Sequence, residues 1–181
     1  MKTNKLILAQ IGAIVFSLIL GTLLHFTYEW SGQNAIVGSF SAVNESIWEH
    51  LKLVFFPLLL AGIIEYIWVR KESNQYLEAK TIGIFTAICF VIVFYYTYTG
   101  ILGYHFLVVD ILTFIISILL GEWVAYQIMK LESQSTITTK ILSGIILLFF
   151  FISFIVFTYH PPKINLWKDP ETNRYGIEKA E

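Results

Sequence analysis

Four histidines and the carboxylates near them are the residues of this chain best equipped to do chemistry. His25 precedes Glu29 by four residues, Glu45 precedes His50 by five, Glu49 adjoins His50, and His105 precedes Asp110 by five. Imidazole with carboxylate is an ordinary ligand set for zinc and similar divalent metals. It is equally an ordinary acid–base set, because histidine titrates near neutral pH. His25, His50 and His105 are therefore candidate metal ligands, and Glu49, Asp110 and His50 are candidate acid–base groups. Asn44, Glu45, Glu29 and Lys52 complete the candidate lining of a polar ligand pocket. No H-E-x-x-H or comparable metal motif is complete, so the expected zinc-like ion rests on residue types alone.

A structural role competes for the same residues. Ser46 and Glu49 have the spacing of a helix-capping box. Lys52 can pair with Glu49 or Glu45 and snorkel to the surface. Asp110 lies about two helical turns inside an apolar segment, where a carboxylate needs a partner. Lys52, His25 and His50 are candidates for that partner, and the sequence does not choose among them.

The elements that must position these groups are membrane helices. Apolar residues make up 56% of the 181 residues and charged residues only 14%, too few to cover a soluble domain. A net charge of −1 gives no basic face for nucleic acid, which excludes that partner. The single cysteine, Cys89, lies in an apolar run and excludes an internal disulfide framework. A bilayer core of about 30 Å takes about 20 apolar residues of helix. Five stretches qualify: 6–27, 47–69, 81–99, 104–127 and 139–159. The expected fold is an all-α, five-helix transmembrane bundle over 1–159, followed by a tail over 160–181. Pro57 is expected to kink the second span. The first span is too long for a signal peptide and lacks a small-residue cleavage site, so it reads as retained.

Lysine and arginine set the expected orientation. With the N-terminus in the cytoplasm, the inner segments carry Lys2, Lys5, Arg70, Lys71, Lys80, Lys130 and Lys140, while loops 28–46 and 100–103 carry none. Lys163, Lys168, Arg174 and Lys179 in the tail argue the other way, but five spans place that tail outside. All four histidines, His160 included, then fall at the outer boundary. The reading implies a multi-pass protein of the cytoplasmic membrane. Glu65 and Glu122, near the inner boundary, are expected to snorkel or to pair with Arg70, Lys71 or Lys130. Loop 28–46 is expected to fold back onto the membrane. In the tail, Pro161 and Pro162 end the fifth span. Asp169-Pro170 and Asn173 then suggest a hairpin cap between Ile164–Trp167 and Tyr175–Ile177, with Trp167 and Tyr175 at headgroup depth.

The stretches HFTYEWSG, VGSFSAVNESIWEHLKL and PPKINLWKDPETNRYGI together resemble an uncharacterised bacterial membrane-protein family, a domain of unknown function. The N-E-S-x-W-E-H-L-K run and the D-P-containing tail carry the resemblance, which spans essentially the whole chain. It implies a five-helix inner-membrane protein and no particular activity.

Three functions remain open on the sequence. One is an outward-facing pocket for a metal, a small ligand or a lipid headgroup, acting, if catalytic, as a metal-dependent or acid–base hydrolase or transferase. Another is a non-catalytic, immunity-type partner of another membrane protein. The last is a small transporter, which lacks the polar stripe that a path through one helix would show.

Overall fold

The structure, a computed structural model, describes residues 2–131 and 135–177, with side chains from Asn4 onward. Lys179 and the Lys2 side chain, both used in the charge argument, lie outside this part. Long helices dominate because apolar runs of this length satisfy every backbone donor and acceptor internally. They are α1 (Lys2–Trp30), α3 (Ile47–Val69), α4 (Tyr76–Leu102), α5 (Leu107–Met129) and α6 (Ile137–Tyr159). A single turn, α2 (Ala35–Gly38), and a 3-10 turn, Asn165–Trp167, lie in the connections. Among the described residues there is no strand, and five helices are long and apolar enough to cross a membrane.

α3 is the hub. It is the most buried of the five, and Leu51, Val54, Phe55 and Leu58 on it are almost wholly enclosed. α1 and α4 pack along it, α5 closes against α4, and α6 stands largely exposed at the side. Without a hydrophobic driving force between helices in lipid, such contacts depend on close van der Waals approach, which small residues allow. Gly83 of α4 and Gly121 of α5 meet backbone to backbone: a Cβ on Gly83 would lie 2.5 Å from the Gly121 carbonyl oxygen. Gly21 of α1 backs onto the Leu53 carbonyl of α3, where a Cβ would lie 2.5 Å from the oxygen. Pro57, four residues on, has no N–H to offer that carbonyl, yet α3 stays helical through it.

Several expectations change. The third helix begins at Tyr76, so Lys80 belongs to a helix interior and not to a loop. The next begins at Leu107, because Phe106 is extended and His105 lies in the link before it. Glu65 and Glu122 do not snorkel, and their partner is none of Arg70, Lys71 or Lys130. Both carboxylates close on Lys80, which lies 2.5 Å from Glu122, and Gln10 of α1 donates to Glu65 at 2.7 Å. All four side chains are buried, so the cation had to come from inside the bundle.

The tail is not a hairpin of two extended segments. Trp167 is drawn in to stack on Trp48 at 4.7 Å, which leaves one 3-10 turn and a single bridge between Lys168 and Tyr175. Asp169 organises the turn, accepting from Thr172 Oγ1 at 2.6 Å and from the Glu171 N–H at 2.9 Å. Ile177 N–H then donates to the Thr158 carbonyl, tying the tail to the end of α6.

Gly83→Ala should destabilise the bundle by about 1–3 kcal/mol, the usual cost of overpacking. Gly144→Ala, where a Cβ meets nothing within 4 Å, should be neutral or slightly stabilising. Thermal unfolding in detergent checks both, and equal melting temperatures for the two variants would contradict the close crossing of α4 and α5.

Candidate functional site

The start of α3 assembles the site within nine residues. Asn44 Oδ1 accepts from the Ser46 N–H at 2.9 Å, forming an Asx turn, and Ser46 Oγ caps α3 by accepting from the Glu49 N–H at 3.4 Å. Glu49 does not complete the capping box. Its carboxylate turns inward to Lys52, accepts from the Val43 N–H at 3.1 Å and meets the Thr158 hydroxyl at 3.3 Å. Lys52 does not snorkel: it is fully enclosed and also donates to the Gly38 carbonyl at 2.7 Å and to Thr158 Oγ1 at 2.9 Å. One buried ion pair thus ties α3 to the end of α2 and to α6. It takes Glu49 and Lys52 out of the candidate lining.

The segment after α1, residues 31–46, folds back over this end, and protein groups meet several of its backbone atoms. The enclosed Ser41 hydroxyl donates to the Leu24 carbonyl and accepts from Thr27 Oγ1 at 2.9 Å and from the Tyr28 N–H at 3.0 Å. Tyr159 OH donates to the Ala35 carbonyl at 2.6 Å.

His25, Glu45 and His50 converge on the surface of this framework. One potential ligand atom from each lies within 4.8 Å of the others. His50 Nδ1 lies 2.9 Å from the Ser46 carbonyl oxygen, an acceptor that fixes the ring with its proton on Nδ1. His50 Nε2 faces Glu45 Oε2 at 3.4 Å. In a neutral ring that nitrogen carries a lone pair, so the contact calls for a proton on Nε2 or for another cation between the two groups. His25 brings one ring nitrogen to the cluster; its buried Nδ1 has no hydrogen-bond partner among the described residues, and its ring lies 5.4 Å from that of His50. With its ring protonated, His50 donates to the Glu45 carboxyl and holds it below the usual carboxylate range, against the opposing effect of burial.

The remaining candidates lie elsewhere. His105 Nδ1 pairs with Asp110 Oδ2 at 2.9 Å, and Tyr98 OH donates to the other oxygen of Asp110. Asp110 is therefore partnered by none of Lys52, His25 and His50, and His105 is engaged outside the cluster. Glu29 is exposed and accepts from Gln33 at 3.1 Å. Asn44 latches the tail by donating to the Gly176 carbonyl at 3.1 Å. His160 ends α6 at the surface. Sequence reading missed Thr158 and Ser41, whose signal is a hydroxyl in otherwise apolar surroundings, and Tyr98, whose signal is a phenol one turn before a helix end that faces Asp110.

The fold and these buried charges define a multi-pass helical membrane protein. The chain belongs to a family of unknown function (DUF6512), whose model matches residues 1–177, the level at which the sequence resemblance stood. No curated protein and no solved structure matches it.

Lys52→Met alone should cost about 3–5 kcal/mol, because it leaves Glu49 buried without its cation. Adding Glu49→Gln should restore a large part of that loss in a thermal-unfolding cycle. Strictly additive losses would show that the pair is not coupled.

Proposed function

We propose that the protein binds a divalent metal of the zinc class through His25, Glu45 and His50. The observation that carries the reading is the His50 Nε2 facing a carboxylate oxygen at 3.4 Å while Nδ1 is committed to a backbone carbonyl. A tetrahedral ion bound at about 2.0–2.1 Å sets neighbouring donors about 3.4 Å apart, so the pair already has one edge of the required geometry. A backbone carbonyl behind the ligating ring is the usual outer support of a metal-bound histidine. His25 offers a ring nitrogen to the same ion, and its buried Nδ1 has no other partner among the described residues.

Three protein donors leave a tetrahedral ion one position for water or a substrate oxygen, the pattern of catalytic rather than structural zinc. The reaction class such a site supplies is hydrolysis by metal-bound water. Glu45 is 44% and His50 33% exposed at the side chain, so a ligand can approach from outside the bundle. Lys5, Arg70, Lys71, Lys130 and Lys140 lie at the opposite end of the helices, which by the positive-inside rule supports an outward-facing metal end.

Purified protein loaded with zinc and freed of excess should retain close to one ion per chain. His25→Ala and His50→Ala should lose it, Glu45→Gln should weaken it at least about tenfold, and His105→Ala should keep it. Metal analysis beside circular dichroism reads this directly. A metal-free wild type, or full retention in folded His25→Ala and His50→Ala variants, would leave only an imidazolium–carboxylate pair and overturn the proposal.

A further inference from the structure

At the opposite end of the bundle, α3, α4 and α6 bound a cleft of about 570 Å³ whose walls divide sharply by chemistry. This lies within the range of about 300–1,000 Å³ typical of small-molecule sites. Leu58, Leu59, Ile63, Ile84 and Leu147 line its apolar part. Arg70 at the end of α3 and Lys140 in the first turn of α6 line its polar part, with Ser73, Asn74 and Ser135 between them. No carboxylate is among the described lining residues, but Glu78 stands directly behind them and accepts from Ser135 and, at 2.7 Å, from Thr139. Lys80 lines the cleft as well, but its charge is already met by Glu65 and Glu122. Arg70 and Lys140 are exposed and come from different helices, so the pair presents a cationic mouth to anything entering along the bundle. α4 and α6 begin here and α3 ends here, with Glu78 in the first turn of α4, so the positive character of the mouth rests on the Arg70 and Lys140 side chains.

We infer that this cleft binds one anionic phospholipid, its phosphate between Arg70 and Lys140 and an acyl chain along Leu59, Ile63 and Leu147. Two observations select that occupant. Two exposed cations line the mouth, and the one acid beside them among the described residues, Glu78, is occupied by Ser135 and Thr139, a balance that complements a phosphate and disfavours a cationic ligand. The apolar wall continues onto exposed helix surface, with Ile63 57% exposed, so a hydrocarbon chain can enter sideways from the bilayer. Basic pockets between transmembrane helices, beside the cluster of Lys and Arg at a membrane face, are where anionic headgroups are recognised. The site is separate from the His25, Glu45 and His50 cluster and stands whether or not that cluster takes a metal.

The test uses native mass spectrometry of the full chain in detergent, with dioleoylphosphatidylglycerol and dioleoylphosphatidylcholine offered in turn. Wild type should hold one phosphatidylglycerol and prefer it over phosphatidylcholine by roughly thirtyfold, the discrimination two interfacial cations supply. Arg70→Gln with Lys140→Gln should reduce that preference to near unity. Leu147→Trp should reduce binding of both lipids by filling the apolar part. Glycerol phosphate, offering the headgroup alone, should not compete at equal concentration. Equal retention of the two lipids by wild type, or retention of the preference by a folded Arg70→Gln, Lys140→Gln variant, would overturn the inference. Competition by glycerol phosphate at equal concentration would reassign the cleft to a free anion and overturn it too.

Discussion

A charge inside an apolar bundle must find its partner inside the bundle, and the arrangement of this protein follows from that constraint. An unpaired charge at mid-membrane costs at least about 2.5 kcal/mol by the most lenient scale. Two buried sets meet the requirement here, and α3 belongs to both. At one end Glu49 and Lys52 draw in the Gly38 carbonyl and Thr158, fixing the loop after α1 and the end of α6. At the other end Lys80 of α4 gathers Glu65 of α3 and Glu122 of α5, with Gln10 of α1 completing the set. Replacing such a set by apolar residues can be neutral, so its contribution is to fix which helices meet and in what register rather than to add stability.

The nine-residue stretch from Asn44 to Lys52 shows how densely this can be encoded. Asn44 makes the turn and latches the tail, Ser46 caps α3, and Trp48 stacks on the tail through Trp167. Glu49 and Lys52 form the buried pair, facing inward, while Glu45 and His50 face the surface beside His25. Framework and candidate ligands therefore share one helix start. The rigidity of the first positions the second, as a metal site requires of its supporting shell.

Much of this was legible in the sequence, for physical reasons that also explain the misses. Apolar runs of membrane length announce five helices because backbone in lipid has few alternatives. Capping by Ser46 follows from local spacing, and the nearness of His25 to His50 from the ends at which the helices place them. The third member is Glu45 where His105 was expected, because His105 is taken up by Asp110. What local spacing cannot show is which residue on another helix meets a buried charge. Lys80 looked like a loop charge because a lysine one turn into a helix reads as its boundary, and only the tertiary fold brings Glu65 and Glu122 to it. Asp110 was correctly judged to need a partner, but the nearest lay across the α4–α5 link at Tyr98 and His105. The tail carried turn signals that Asp169 does use, yet the pull of Trp167 onto Trp48 converted an extended segment into a 3-10 turn.

On the function proposed, two imidazoles and one carboxylate at the start of α3 and the end of α1 hold one divalent ion. X-ray absorption at the zinc edge of the loaded, folded protein tests it most directly, because imidazole rings give outer-shell scattering that no other ligand here can produce. The account expects four light-atom donors at about 2.0–2.1 Å with the signature of two imidazoles. A shell of six oxygens without imidazole scattering would mean that the ion sits elsewhere and that His25 and His50 serve the fold alone.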